Sequence, residues 1–470
     1  MEITTTGVIL VPLGILLFIF KPNLLYWCMV FSLPFSATAI ANIGFMGARS
    51  GVQATILFGS LWMIKEGGRA LKKSRSWQSP EMRISVRQLR LFMFAALLSL
   101  IMPLWINGGL TIYCPDLLCN ETPPLTFGLR HITQSLYLAY GLIITIFIAV
   151  RNSNPEEFRK SVRVFLISAI FASSWGFLQW YCNDAGISYP AFIFNTSATE
   201  SAMGYMQELG DLGVTRISSV STEPSMLAQF ILLALVFAIF AVFGQRTVIS
   251  KFWDRVALIF TVLILLLTTS STAYIGLAIL LPVALLGLWY LGRLGAKPLG
   301  IIGFALLVLY VTYARSQLIQ ELADRMIFSK AEDYSGIGRL NSVLLALGYF
   351  RAYPILGIGW GSASSYDLIV KLLSNTGILG LVTFAIFIGT VFSRLWKSMK
   401  PRAVAQPLER TFWACCFLVA IFMLIVTNEL TGFAFVYGHL WFIFGMALAV
   451  PLFRQTAIAA RPAVLAPVRI

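Results

Sequence analysis

Long apolar stretches alternate with short polar and mostly basic connections along the whole chain. A helix needs about 20 apolar residues to cross a bilayer core about 30 Å thick. The pattern therefore predicts an all-α polytopic membrane protein with twelve or thirteen transmembrane helices, in which residues 1–470 form a single integral membrane domain. The predicted spans are residues 7–20, 24–42, 51–65, 91–108, 131–150, 164–181, 225–244, 256–271, 273–291, 299–314, 376–394, 411–429 and 432–452.

The composition agrees, because 58% of the residues are hydrophobic and 12% are charged. The net charge of +15 is unevenly placed: alternate connections hold 26 of the 35 Lys and Arg residues but six of the 20 acids. Basic connections stay in the cytoplasm, so the charge is explained without a nucleic-acid partner. With an odd number of spans, the N-terminus is expected outside and the C-terminus inside. The basic connections are residues 21–23, 65–90, 151–163, 245–255, 291–298 and 394–410, with the tail from residue 453.

Three predicted outer segments are long, at residues 109–130, 182–224 and 315–375, which indicates that the protein works at its outer face. In the first of them, Cys114 and Cys119 form a disulfide or remain two free thiols. No metal-ligand spacing, nucleotide-binding loop, serine hydrolase motif or paired-acid motif is present in the sequence. No metal and no cofactor are therefore expected.

Nine cations fall on the predicted outer face, where the positive-inside rule disfavours them. Arginine binds phosphate with two parallel hydrogen bonds and stays charged. The cations therefore indicate a site for an anionic ligand such as a diphosphate, although each of them can instead pair with a nearby acid or reach lipid headgroups. They are Arg49, Arg130, Arg216, Arg315, Arg325, Lys330, Arg339, Arg351 and Lys371.

Two outer stretches carry candidate chemistry. In 215-TRISSVSTEPSMLAQF-230, Glu223 precedes a proline that suits a first helical turn. The helix dipole stabilises a carboxylate there, whereas partial burial would suit the same group to accept a proton. Segment 316–330 has the apolar spacing of a surface helix, and a second helix is expected from Arg339 to about Tyr353.

The glycine-rich stretch 353-YPILGIGWGSASSYDLIVKLLSNTGILG-380 follows that second helix. Gly357, Gly359 and Gly361 let backbone amides approach a ligand, and nearby serines can cap the next helix, whose N-terminus attracts anions. The stretch therefore predicts a phosphate-holding loop. The alternative is an ordinary turn between a surface helix and the next span. The serines are Ser362, Ser364 and Ser365.

The C-terminal half resembles bacterial O-antigen polymerases and ligases over roughly residues 210–395. The resemblance is carried, in order, by 267-LTTSSTAYIGL-277, 338-GRLNSVLLALGYFRAYPILGIGWG-361 and 366-YDLIVKLLSNTGILGLVTF-384. It implies a GT-C-like, metal-independent membrane glycosyltransferase of the bacterial inner membrane. Such an enzyme uses undecaprenyl-diphosphate-linked oligosaccharide at the periplasmic face, in the bilayer, and a chain-length regulator protein is a candidate partner.

Two departures bear on the subfamily. Ligases carry an Arg where this chain has Ser271, and a His-Asn pair where it has Tyr366-Asp367. The element from Arg216 to Pro224 is more similar to polymerases, which transfer the growing glycan to the sugar of another lipid-linked unit. The favoured reading is therefore a polysaccharide polymerase, and an O-antigen ligase or related oligosaccharyltransferase is the alternative.

The working hypothesis gives each candidate residue a role. Arg216 and Arg339 bind the donor diphosphate with help from Arg325 or Arg351, and the three loop glycines help to seat it. Glu223, or else Asp367, accepts the proton of the acceptor hydroxyl. A flippase or transporter of lipid-linked glycans is the rival from another class. It would need cations inside the spanning helices, where charge is nearly absent apart from Glu429.

Overall fold

The computed structural model describes residues 2–45, 48–68, 75–113, 123–198, 200–209, 213–317, 320–321, 324, 334–400, 408–432 and 435–453. Cys114, Cys119 and Arg325 lie outside these residues, as does most of the predicted surface helix at 316–330. The described chain is mainly α-helical. The helices are α1 Thr5–Phe20, α2 Pro22–Phe31, α3 Ala54–Trp62, α4 Pro80–Ser99, α5 Ile101–Ile106, α6 Leu129–Arg151, α7 Pro155–Asp184, α8 Ala191–Phe194, α9 Pro224–Phe243, α10 Lys251–Leu267, α11 Ser271–Tyr290, α12 Ala296–Arg315, α13 Tyr334–Ala352, α14 Leu368–Met399, α15 Leu408–Thr431 and α16 Gly438–Ala449.

Within the described ranges, seven helices are long and apolar enough to cross a membrane. They confirm an all-α polytopic membrane protein. The sequence predicted a larger number of spans, twelve or thirteen. Two further predicted spans correspond to shorter apolar helices, Thr5–Phe20 and Gly438–Leu452. The seven are Pro80–Ile106, Leu129–Arg151, Pro155–Asp184, Pro224–Phe243, Ser271–Tyr290, Leu368–Met399 and Glu409–Thr431.

A small antiparallel sheet corrects the prediction near the N-terminus. Its strands are β1 Glu2–Ile3, β2 Ala39–Phe45 and β3 Ala48–Gln53, in the order β1-β2-β3. The predicted span 24–42 is therefore wrong beyond Phe31, and the predicted span 51–65 begins as strand. Pro34 explains the first error, because proline cannot continue a helix and pushes the preceding residue towards extended backbone.

Helix α9 forms the centre of the molecule. It is apolar all round, nearly all of its side chains are buried, and it contacts α7, α10, α11 and α15. A helix that is hydrophobic on every face belongs in such a position.

The orientation of α4 and α14 defines two ends of the molecule. Arg394, near the end of α14, donates to Glu81 O at 2.6 Å in the first turn of α4. Ser99, at the end of α4, accepts from Trp360 N, just before α14. The two helices are thus antiparallel, and the start of α14 lies at the opposite end of the molecule from the start of α4.

Candidate functional site

Four helices begin around one cavity, which lies at the end of the molecule where α14 starts. The cavity has a volume of about 280 Å³. It is bordered by the first turns of α6 and α14 and by the residues directly before α9 and α16. Helix N-termini carry partial positive charge, so their convergence favours an anion. The lining residues are Ser36, Gly51, Gln53, Ile56, Arg130, Gln134, Tyr137, Ser197, Thr222, Gly361, Ala363, Ser364, Lys371, Val436 and Tyr437.

Two cations line this cavity together. Arg130 lies in the first turn of α6 and donates to Ser364 Oγ at 3.0 Å. Lys371 lies in the first turn of α14, close enough for the charge of Arg130 to act on it. Like charges in a partly buried site repel each other. A bound anion removes that cost, and this gives the pair a physical reason to select one.

Buried hydrogen bonds join α6 to the glycine-rich loop. His131 is buried, its Nδ1 accepts from Gly128 N at 3.1 Å, and its Nε2 lies 3.0 Å from Ser362 Oγ. The proton therefore sits on Nε2, which donates to Ser362, because Nδ1 is already an acceptor. Ser362 Oγ in turn donates to Ile358 O. These contacts hold the backbone next to Gly361 against α6.

The loop glycines have a different setting from the predicted phosphate loop. Gly357 N donates to Tyr353 O, and Gly359 N donates to Asn375 O. Both glycines have positive φ, and a Cβ at Gly357 would meet the backbone of residues 374–376. Their amides are thus occupied by protein acceptors, and their lack of a side chain lets the loop pack against α14. Of the three glycines, Gly361 borders the cavity.

The cap of α14 also differs from the prediction. Asp367, and none of the three serines, is the N-cap residue, and its Oδ1 accepts from Val370 N at 2.7 Å. Glu429 on α15 reaches the same turn, where its Oε2 accepts from Leu368 N at 3.2 Å. The carboxyl groups of Asp367 and Glu429 are neighbours that interact electrostatically. Asp367 is therefore committed to a helix start and lies beside a second acid.

Glu223 is a neighbour of Tyr437, which lines the cavity. It is half-buried at the N-cap position of α9 and accepts from Ser225 Oγ at 3.1 Å. Tyr437 lines the cavity and shares a hydrogen bond with Thr222. Burial raises the pKa of Tyr437 to about 12, the charge of Glu223 acts in the same direction, and the Thr222 hydrogen bond opposes both. The phenol thus stays protonated beside a carboxylate.

The three described arginines that were predicted to bind the diphosphate do not line the cavity. Arg216 donates to Gln207 Oε1 at 3.3 Å and its charge reaches Tyr274 at the start of α11. Arg339 donates to Leu430 O at 2.9 Å and lies over the ring of Tyr366. Arg351 is exposed near the end of α13. Arg339 is linked to the site through Tyr366, which acts electrostatically on the cavity-lining Tyr437.

Sequence reasoning counted Arg130 and Lys371 among the outer cations but gave them no role, and it gave none to His131 and Tyr437. The signal that these four residues share is their position. Each lies in the first turn of a helix that starts at the predicted outer face, or directly before it. Helix starts on one face of a membrane protein lie at a similar depth, whereas the predicted arginines were chosen by local sequence context.

The fold and the cavity together define a multi-pass membrane protein with a cationic site where four helices begin. A family model described as O-antigen ligase matches residues 256–372. The match runs from α10 to the first turn of α14 and includes Lys371. No curated protein matches the chain. The family match confirms the resemblance to the O-antigen ligase and polymerase superfamily, and it supports a ligase-like or polymerase-like membrane enzyme.

Proposed function

We propose that the protein is a polysaccharide polymerase at the periplasmic face of the bacterial inner membrane. It transfers a glycan from undecaprenyl diphosphate to the sugar end of another lipid-linked repeat unit. The observation that carries this proposal is the meeting of Arg130 and Lys371 in a cavity bordered by four helix starts. A diphosphate is the anion on the donor side of such a reaction, and its negative charge is complementary to these two cations.

The chemistry follows from the charges. A hydroxyl oxygen of the acceptor attacks the anomeric carbon, the bond from that carbon to the diphosphate oxygen breaks, and the diphosphate leaves with the bonding electrons. Negative charge on the leaving group grows in the transition state, so fixed cations and helix N-termini around it lower the barrier. Arg130 and Lys371 supply these charges without a metal ion, and direct attack inverts the anomeric centre.

The proton of the acceptor hydroxyl needs a base. Glu223 is the favoured acceptor, because it is half-buried and neighbours the cavity-lining Tyr437. Asp367 is the second choice, since it already caps α14 and lies beside Glu429. Arg339 contributes through Tyr366, over whose ring its guanidinium lies, and Arg216 has no role in this scheme because it does not line the cavity.

The test is deletion of the gene in its host, followed by gel analysis of the surface glycan. Single repeat units on the lipid anchor with loss of the ladder identify a polymerase. Complementation with wild type should restore the ladder, and complementation with Lys371→Met should not. An unchanged ladder in the deletion strain would reject the proposal.

An O-antigen ligase is the second candidate, because the matching family model carries that description. The same gel separates the two, since loss of a ligase leaves long polymer on the undecaprenyl carrier. A flippase is less well supported, because the centre of the bundle is filled by the apolar helix α9. A chain-length regulator remains a candidate partner of the polymerase.

A further inference from the structure

Three arginines form a row on α4 at the end of the molecule opposite to the cationic cavity. Arg83, Arg87 and Arg90 are spaced four and three residues apart, which places them on one face of the helix along about 10 Å of its axis. All three are exposed. Within the described ranges, none of their three guanidinium groups forms a hydrogen bond or an ion pair.

The row borders a second cavity, of about 550 Å³, with Trp77, Gln78 and Val86. The cavity continues along α4 to Leu91 and Phe94, whose side chains are 44% and 62% exposed. The groove is therefore cationic at one end and apolar at the other. Such a groove is complementary to a phospholipid, in which an anionic headgroup is joined to an acyl chain.

Seven other arginines of the same predicted inner face contact protein acceptors, whereas Arg255 is exposed but lies outside the groove. Positive-inside charge alone requires only proximity to the inner surface, so it does not explain an unpaired row along a groove. The acceptors are Glu157 for Arg151, Glu409 for Arg159 and Arg246, Val248 O for Arg163, Gln245 for Arg293, Glu81 O for Arg394 and Ser398 for Arg410.

The groove lies where the inner leaflet is expected. Arg394 lies near the end of α14 and contacts Glu81 in the first turn of α4. The cavity of Arg130 and Lys371 lies where α14 starts, so the first turns of α4 are at the opposite membrane face. The connection 65–90 before and within α4 is also the most basic of the predicted cytoplasmic connections. Anionic headgroups attract such cations by about 1 kcal/mol for each one near the surface.

We propose that this groove binds an anionic phospholipid of the inner leaflet. Arg83, Arg87 and Arg90 hold the phosphate, and an acyl chain lies along Leu91 and Phe94. The binding is independent of the catalytic proposal, because the groove shares no lining residue with the cationic cavity.

Native mass spectrometry of the purified full chain tests the proposal, with phosphatidylglycerol as the probe and phosphatidylethanolamine as the zwitterionic control. The triple variant Arg83→Gln, Arg87→Gln, Arg90→Gln should bind phosphatidylglycerol about 100-fold more weakly than wild type. The control triple Lys251→Gln, Arg255→Gln, Lys397→Gln removes the same charge from exposed positions outside the groove. It should bind as wild type does.

Two results would overturn the proposal: equal weakening by both triples, or wild-type protein that takes up the two lipids equally. The Arg-to-Lys triple keeps the charge and should retain binding, which separates lost affinity from lost fold. A photoreactive phosphatidylglycerol provides a test on the unaltered protein. It should label the peptide of residues 77–94 preferentially, and labelling spread evenly over the membrane helices would argue for bulk lipid.

Discussion

His131 and Ser362 form a buried hydrogen bond, 3.0 Å from Nε2 to Oγ, between the start of α6 and the glycine-rich loop. Neither residue bears a charge at the cavity, yet the bond fixes the distance between the two elements that carry Arg130 and Gly361. The geometry of the cationic cavity therefore depends on a polar contact inside the protein.

Ser362→Ala should destabilise the protein by about 1–3 kcal/mol, because it leaves the Nε2–H of buried His131 without an acceptor. Thermal unfolding in detergent measures the effect. Ser174→Ala is the matched control, because Ser174 is exposed on α7 and contacts its own helix. Equal midpoints for the two variants would show that the buried bond contributes nothing to stability.

Lys371→Met should reduce glycan transfer by about 100-fold, the size of effect expected when one group that stabilises transition-state charge is lost. Lys397→Met is the control, because Lys397 is exposed near the other end of the same helix. Transfer is measured with lipid-linked repeat units and purified protein. Full activity of Lys371→Met would remove Lys371 from the diphosphate site.

Gly377→Ala should destabilise the protein by about 2 kcal/mol or more, because Gly377 has a φ of 62° within α14 and a Cβ there would meet the backbone of Ile355. Gly389→Ala in the same helix is the control. It has open space around it, and alanine should stabilise the helix by up to about 1 kcal/mol. Opposite signs of the change in unfolding temperature are the expected result.

Arg339→Gln should lower transfer more than Arg351→Gln. Arg339 donates to Leu430 O and lies over Tyr366, close to the cavity, whereas Arg351 is exposed at the end of the same helix. The two substitutions remove the same charge, so the comparison isolates position. A normal ladder with Arg339→Gln in the complemented deletion strain would exclude Arg339 from the site.

Tyr437 should make the stability depend on pH in the alkaline range. Its pKa is raised to about 12 in the folded protein, above the value of about 10 for an unfolded chain. The unfolded state therefore loses this proton first, and the free energy of unfolding falls as the pH rises from about 10 to about 12.

The variant Tyr437→Phe should show a shallower fall over that window in detergent-based unfolding experiments. The pH dependence for Glu223→Gln should be intermediate between those of wild type and Tyr437→Phe, because removal of the Glu223 charge takes away one cause of the raised pKa of Tyr437. Identical slopes for wild type and Tyr437→Phe would contradict the raised pKa of Tyr437, and identical slopes for wild type and Glu223→Gln would contradict the contribution of Glu223.

Local sequence patterns predicted much of the fold. Apolar length located the spanning helices, and Glu223–Pro224 marked the start of α9 correctly. The error at residues 24–42 arose because apolar content was counted across Pro34, where the chain turns and β2 follows. Short apolar strands and helix ends look alike in composition, and only their pairing partners distinguish them.

The sequence by itself determined that the chain is a polytopic membrane protein, and it predicted which connections are basic and which cations lie on the outer face. The tertiary structure decided which of those cations meet. Arg130 contacts Ser364, 234 positions away, and this contact brings Lys371 to the same cavity. No local pattern encodes such a meeting, because it depends on how α6, α9, α14 and α16 pack so that their positive ends point to one place.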